Sequence, residues 1–235
     1  MLTVVLPVHN ERDNLASVVA ELERTLAGVP HEIVAVDDAS TDGSAAELER
    51  LAASDARLRV VTLARRAGQS GALARGFDVA TGDLVATMDA DGQNDPADLS
   101  LLLDALERDP ELDAAVGYRV GRAGPWRLIQ SRIANAARNW ITGDHVRDTG
   151  CALKVFRRSA LADVPRFDGM HRFLPTLVRH QGGRVIELPV SDHPRRYGVS
   201  KYGMWQRLWR GIRDAFGVRW LGRRRLRHRA GKERE

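Results

Sequence analysis

Leu84-Val85-Ala86-Thr87-Met88-Asp89-Ala90-Asp91-Gly92-Gln93 is the stretch on which the reading of this chain turns. Leu84 to Met88 is a short apolar run that reads as a buried strand. The two carboxylates that follow it, one residue apart, make a compact group of hard oxygen ligands. Such a pair suits Mg²⁺ or Mn²⁺ carrying a phosphorylated substrate, because these ions favour carboxylate, water and phosphate oxygens. The same pattern also serves as a turn or a helix cap, so its neighbours must decide.

On both sides of this stretch, strand and helix alternate. Thr3–Val8 is an apolar strand broken at Pro7, and Leu15, Val18, Val19, Leu22 and Leu26 then recur at helical spacing. His31–Asp37 is a second strand, and the loop Asp37–Gly43 after it is rich in turn and cap formers. Ala45–Ala53 reads as a helix, Leu58–Thr62 as a strand, and Gly68–Val79 as a helix with a glycine-rich start. Asp95-Pro96 opens a helix through Leu106. This alternation predicts an α/β fold with a mostly parallel sheet covered on both faces. Ligands of such sheets lie outside the carboxyl ends of the strands. The loops His9-Asn10-Glu11, Asp37-Asp38 and Asp89-Ala90-Asp91 are therefore expected on one rim. The second half is less regular, with strands at Ala114–Tyr118, Leu153–Phe156 and Arg184–Val190 and helices at Trp126–Ile141 and Arg172–His180.

With 235 residues, 43% hydrophobic and 29% charged, the chain has an ordinary globular balance. No apolar run approaches the roughly 18 residues of a membrane-spanning helix, and Leu2–Val8 reads as a strand rather than a signal peptide. A lone cysteine, Cys151, excludes an internal disulfide and fits a reducing compartment. The net charge of +5 is unevenly spread. Residues 207–235 hold eleven Lys/Arg and three Asp/Glu, leaving residues 1–206 at −3. Basicity belongs to the C-terminus, which argues against a nucleic-acid partner for the body.

No Gly-x-Gly-x-x-Gly turn follows the first strand, and no Walker loop is present. Instead, Pro7-Val8-His9-Asn10-Glu11, Val36-Asp37-Asp38-Ala39-Ser40-Thr41-Asp42 and Asp89-Ala90-Asp91, in order at successive strand ends, resemble the landmarks of family 2 glycosyltransferases of GT-A fold. The resemblance implies that Pro7, His9, Glu11, Val36 and Asp38 surround the nucleoside of a GDP- or UDP-linked sugar, with Asp89, Ala90 and Asp91 at its diphosphate. The family usually has Gly where Ala39 stands. Helix capping is the competing reading of Asp37 and Asp38. Gln93 matches the Asp-x-Asp-x-Gln metal pattern of polyprenyl-phosphate sugar transferases similar to dolichyl-phosphate mannosyltransferase. Arg195-Arg196-Tyr197-Gly198-Val199-Ser200-Lys201 and Asp148-Thr149-Gly150-Cys151-Ala152-Leu153-Lys154 look like two further segments of that group. Arg127 and Ser131 lie where it places contacts to the lipid phosphate. The resemblance covers about residues 1–205, expected as the catalytic domain, with 206–235 as a basic amphipathic helix and an Arg-rich tail.

The chemistry agrees with this. Breaking a sugar–diphosphate bond requires stabilising the leaving group. A divalent ion on Asp89, Asp91 and Gln93 would do so as a Lewis acid, with Arg195 and Lys201 adding positive charge. Relatives that glycosylate hydroxyls commonly carry a late Glu-Asp pair supplying a base, and this chain has no Glu-Asp dipeptide. A phosphate acceptor is already an anion and needs no base, only cations to hold it near an anionic donor. Arg119, Arg127, Ser131 and Arg132 are the candidates, and Arg119 is also expected, with Asp91, Arg195 and Lys201, among the catalytic and donor-binding residues. A solvent-facing Arg-rich helix is the bland alternative for 126–141.

In the tail, Trp205, Leu208, Trp209, Ile212 and Phe216 recur every three or four residues, with Arg207, Arg210 and Arg213 on other faces. This fits adsorption to an anionic membrane or a small membrane protein, or packing on the body. The expected function is metal-dependent, inverting transfer of a sugar to undecaprenyl or dolichyl phosphate by a cytoplasmic protein, peripheral on the inner face of the cytoplasmic membrane. Transfer to a saccharide hydroxyl and a catalytically silent nucleotide-sugar-binding recruiter stay open at this level.

Overall fold

The computed structural model describes residues 1–120, 135–194 and 204–224, with side chains in the last segment from 211 onward. Its strands are β1 (Leu2–Val8), β2 (His31–Asp37), β3 (Leu58–Thr62), β4 (Leu84–Thr87), β5 (Ala114–Arg119), β6 (Lys154–Arg157) and β7 (Val185–Val190). They lie side by side in one sheet as β3-β2-β1-β4-β6-β5-β7. The helices are α1 (Arg12–Thr25), α2 (Ser44–Ala52), α3 (Gly68–Val79) and α4 (Asp98–Arg108), then helical residues 135–142 (α5), α6 (Arg158–Ala162), α7 (Leu174–His180) and α8 (Met204–Arg224). A 3₁₀ turn, Met170–Arg172, precedes α7.

Strand periodicity divides the interior in two. Val4, Leu6 and Val8 face a core completed by Leu15 and Leu22 of α1, Leu48 of α2, and Leu99 and Leu102 of α4. Val5, Val34 and Val36 face the other, with Leu73 and Phe77 of α3 and Leu174 and Leu177 of α7. Both faces of the sheet are thus covered, which is why β1 and β2 read as nearly continuous apolar runs. Each fully buried Leu or Val contributes roughly 1.5–3 kcal/mol of transfer free energy.

One detail departs from the sequence reading and a second adds to it. β1 runs unbroken through Pro7, which pairs with Val36 of β2. On the other side β4 ends its pairing at Thr87, opposite Val5, so Pro7 has no β4 partner and its missing N–H leaves that ladder intact. β6 is antiparallel to both neighbours, β4 and β5. Composition carries no strand direction, so only the register shows that the chain re-enters the sheet here the other way round.

The C-terminal helix is part of the globule. Ala215 and Val218 of α8 are fully buried in the second core, and Ile212 packs against it. Arg219 Nη1 donates to the carbonyls of Ile141 (2.8 Å) and Trp140 (3.3 Å) at the end of α5. No helix among the described residues is long and apolar enough to cross a membrane.

Candidate active site

The β2-β1-β4 order places the loops after these three strands next to one another on one rim. Hydrogen bonds then join the first two loops. His9 Nδ1 lies 2.8 Å from the carbonyl oxygen of Asp38. Asn10 N donates to Ser40 Oγ (3.0 Å), Thr41 N to Asn10 Oδ1 (2.8 Å), and Glu11 N to Ser44 Oγ (3.0 Å). Asn10 and Ala39 are both left-handed, at φ 56° and 52°. Asn tolerates this well and Ala does not. The backbone therefore accounts for the glycine usual at the Ala39 position.

Asp38 is 2% exposed. Its Oδ1 accepts Ala67 N (2.5 Å) and its Oδ2 accepts Gly68 N (2.9 Å), the amides of the N-cap residue and of the first residue of α3. Asp38 therefore caps the start of α3 rather than the helix next in sequence, and α2 is served by Asp42 of the same loop, which accepts Ser44 N (2.9 Å). Asp37, 1% exposed, accepts Ser40 N (3.3 Å) through Oδ2, and its buried Oδ1 has no hydrogen-bond partner among the described residues. Glu11 accepts a bond from Asn14 Nδ2 (2.7 Å). Val36 and Ala90 turn their side chains into the cores, so any part they take in binding a ligand is through the backbone. Pro7 and His9 remain partly accessible on the rim.

The first turn of α3 is the hub that sequence reasoning missed. Gly68 N meets Asp38, Gln69 Nε2 donates to Asp89 Oδ1 (2.7 Å), and Ser70 Oγ lies 2.8 Å from His171 Nδ1. Three consecutive residues thus tie the second loop, the acidic pair and the turn before α7 to one helix end. The glycine-rich start of this helix was the available signal, but its polar residues had no partner in sight along the chain. Burial, with Arg172 and Lys154 nearby, pushes the His171 pKa down to about 3, so the imidazole is a neutral hydrogen-bonding group at ordinary pH.

Around the acidic pair, Asp91 is 8% exposed and accepts Gln93 N (3.1 Å) across Gly92, which is left-handed at φ 73°. Gln93 exchanges further bonds with residue 193, giving Nε2 to His193 O (3.4 Å) and taking His193 N on its carbonyl (2.9 Å). These bonds bring the chain just before Arg195 to the metal-pattern loop. No group of three or more His, Cys, Asp or Glu fit to hold a metal ion occurs among the described residues. The donor set is instead two carboxylates and an amide. That fits Mg²⁺ or Mn²⁺ whose remaining ligands are water and substrate phosphate oxygens, the usual arrangement for Mg²⁺.

Arg119 is not presented to the rim as a free cation. Its Nε and Nη2 hold both oxygens of Asp148 (2.7 and 3.0 Å), and Nη1 lies 3.9 Å from Asp192. Burial acts to lower its pKa, but the Asp148 hydrogen bonds together with the charges of Asp148, Cys151 and Asp192 outweigh it and hold it raised. Arg119 thus braces the Asp148–Gly150 segment, and its expected contact with a phosphate would have to be made alongside this pairing. Behind this segment Lys154, which pairs with Thr87 of β4, is 3% exposed and donates to the carbonyl of Cys151. Burial lowers its pKa, while Cys151, Asp89 and Asp148 act in the opposite direction. Arg127, Ser131, Arg132, Arg195 and Lys201 lie outside the described residues.

A mostly parallel sheet with joined strand-end loops and an acidic pair at its centre is the arrangement of the GT-A fold. Among solved structures, the chain is similar to a mannosyltransferase from Pyrobaculum calidifontis in complex with GDP-Man and Mn²⁺ (TM-score 0.65, 24% identity, 94% of this chain and 63% of that one). It is also similar to glucosyl-3-phosphoglycerate synthase from Mycobacterium tuberculosis in complex with UDP (TM-score 0.69, 20% identity, 93% and 80%). The family is shown by sequence: residues 3–164 match the glycosyl transferase family 2 model, and the chain belongs to that family. It is 38% identical over 233 residues to dodecaprenyl-phosphate galacturonate synthase of Rhizobium johnstonii, covering 96% of this chain and 68% of the relative. It is likewise 38% identical over 211 residues to undecaprenyl-phosphate 4-deoxy-4-formamido-L-arabinose transferase of Edwardsiella ictaluri, covering 86% and 63%. The chain thus spans about two thirds of the length of these relatives.

Proposed function

We propose that this protein transfers a sugar from a nucleotide-sugar to a polyprenyl phosphate at the inner face of the cytoplasmic membrane, with inversion at the anomeric carbon. The observation that carries the reading is the α3 hub, which fixes the nucleoside-side loop through Asp38 and the acidic pair through Asp89 on one helix end. The names of the polyprenyl-phosphate relatives support the acceptor class.

In this reading Pro7, His9 and Glu11 flank the nucleoside, and Asp38 holds the loop that lines it. Asp89, Asp91 and Gln93 would hold Mg²⁺ or Mn²⁺, which supplies Lewis-acid neutralisation of the departing diphosphate. Gln69 keeps Asp89 oriented toward that group. An oxygen of the lipid phosphate forms the new bond to the anomeric carbon as the bond to the diphosphate breaks, and the nucleoside diphosphate leaves with its electron pair. No proton is removed from the acceptor, so neither carboxylate has to act as a base. Arg127, Ser131 and Arg132 are proposed to hold the acceptor phosphate, and Arg195 and Lys201 the diphosphate. Three lysines against 33 arginines fit a GC-rich bacterial genome, and hence undecaprenyl phosphate.

The test is incubation with UDP- and GDP-sugars, undecaprenyl or dolichyl phosphate and Mn²⁺, read by mass spectrometry, beside Asp91→Ala. A polyprenyl-monophosphate-sugar made by the wild type and lost in the variant is expected. Transfer to a saccharide hydroxyl with none to lipid phosphate refutes the acceptor.

A further inference from the structure

The apolar faces of α8 do not all point inward. Ile212, Ala215 and Val218 are used by the core, yet Phe216 and Trp220, one helical turn apart, are each 56% exposed. Trp140, at the end of α5, is 79% exposed. Arg219, between Phe216 and Trp220 in sequence, donates to the Trp140 carbonyl, so the three aromatic residues border the same junction. Singly exposed apolar residues need no explanation, but three large aromatics gathered at one seam do.

The seam is also basic. A cleft of about 360 Å³ opens there, lined by Thr142 and Gly143 of the α5 end, Arg179 and His180 of α7, and Arg219 and Arg223 of α8. Arg179 is committed to Asp144 (2.8 Å) and Glu187 (3.2 Å). Arg223 has no ion pair among the described residues, and Arg224 lies over the Trp220 ring at 5.1 Å. α8 carries six arginines against one aspartate, Asp214, which lies 3.8 Å from Arg172 on the body side. Gly222 lets this helix close on α7, since a β-carbon there would stand 2.5 Å from His180 Nδ1.

We infer that the α5–α7–α8 seam is a membrane-docking surface: Trp140, Phe216 and Trp220 enter the headgroup layer, and the Arg219/Arg223 cleft takes the phosphate of an anionic phospholipid. Aromatic rings favour that layer, and arginines beside them are drawn to anionic lipid. Charge complementarity selects this occupant over a neutral apolar partner. The surface differs in part from the one expected from sequence: Ile212 of the expected stripe packs on the core, whereas Phe216 of the same stripe is exposed and is joined by Trp220 and Trp140. The proposal extends the lipid-acceptor reading by naming the membrane contact, and it is tested apart from it.

The test is flotation of the full chain with phosphatidylcholine vesicles, with and without about 30% phosphatidylglycerol, for wild type and Trp140→Ser/Trp220→Ser. Wild type should bind the anionic vesicles and release as salt rises, and the double variant should bind at least about tenfold more weakly. Transfer to a short-chain polyprenyl phosphate in detergent should be unchanged in the variant. Undiminished vesicle binding by the variant, equal binding to neutral vesicles, or full displacement by soluble glycerol phosphate each overturns the inference. Wild type that binds vesicles but transfers no sugar supports docking and refutes the acceptor reading instead.

Discussion

Removing the Asp38 carboxylate tests whether the nucleoside-side loop is a ligand contact or a strut. Asp38 is 2% exposed and accepts the amides of the N-cap residue Ala67 and of Gly68, the first residue of α3, at 2.5 and 2.9 Å. Asp38→Ala deletes two charge-assisted bonds, leaves two donors at a buried helix start, and removes a negative charge from the positive end of the helix dipole. Bonds to a charged group contribute about 1.5–3 kcal/mol each and a helix-end charge about 0.3–1, but relaxation and solvent entry recover part, so a net loss of about 2–4 kcal/mol is expected. For a chain of this size that is a fall in Tm of roughly 5–15 °C. Asp38→Asn keeps one acceptor oxygen and should lose about half as much. Thermal and urea unfolding followed by circular dichroism give the stability. Amide exchange at Ala67 and Gly68 shows whether the damage is at α3, and nucleotide titration gives affinity. If Asp38 is the strut, stability, amide protection and affinity fall together. A Tm unchanged within about 2 °C beside a tenfold or larger loss of nucleotide affinity refutes the reasoning and makes Asp38 a direct ligand contact.

Two further outcomes follow from backbone and burial. Ala39→Gly relieves a left-handed alanine at φ 52°, a strain of about 1–2 kcal/mol set against about 0.4–1 for the added freedom of the unfolded chain, so urea unfolding should show stability unchanged or raised by up to about 1.6 kcal/mol. A loss would contradict the conformation. His171 is held neutral with a pKa of about 3, whereas the unfolded imidazole titrates near 6.5; between these values only the unfolded chain takes up the proton, so stability is full above about pH 6.5 and falls by up to about 1.4 kcal/mol per unit as pH drops. His171→Gln should remove that slope. Urea midpoints near pH 7 and pH 5 that shift equally in both proteins would contradict it.

The alternation of apolar runs with helical spacing, and the acidic residues at the ends of the first, second and fourth strands, are local features, so the mostly parallel α/β fold and the three rim loops were legible in the sequence. So were the motifs of the family, because Pro7–Glu11, Val36–Asp42 and Asp89–Asp91 each lie within one short stretch. Strand direction was not: Lys154–Arg157 is as apolar in its centre as a parallel strand would be, and only its register against β4 and β5 shows it reversed. Nor was the work of individual polar side chains. Asp38 finds its partners 29 and 30 residues away, Gln69 finds Asp89 at 20, and Ser70 finds His171 at 101. A carboxylate beside a backbone amide and a carboxylate beside a ligand look alike in a sequence. α8 makes the same point for apolar groups: periodicity showed an amphipathic helix, but whether Ile212 or Phe216 meets the core depends on the helix's rotation against α7, which packing at Ala215, Val218 and Gly222 sets. Sequence thus determined which elements form and what chemistry their ends carry. Tertiary structure decided which of those charges are spent on holding the fold and which face the rim, because that choice rests on pairings between residues distant along the chain.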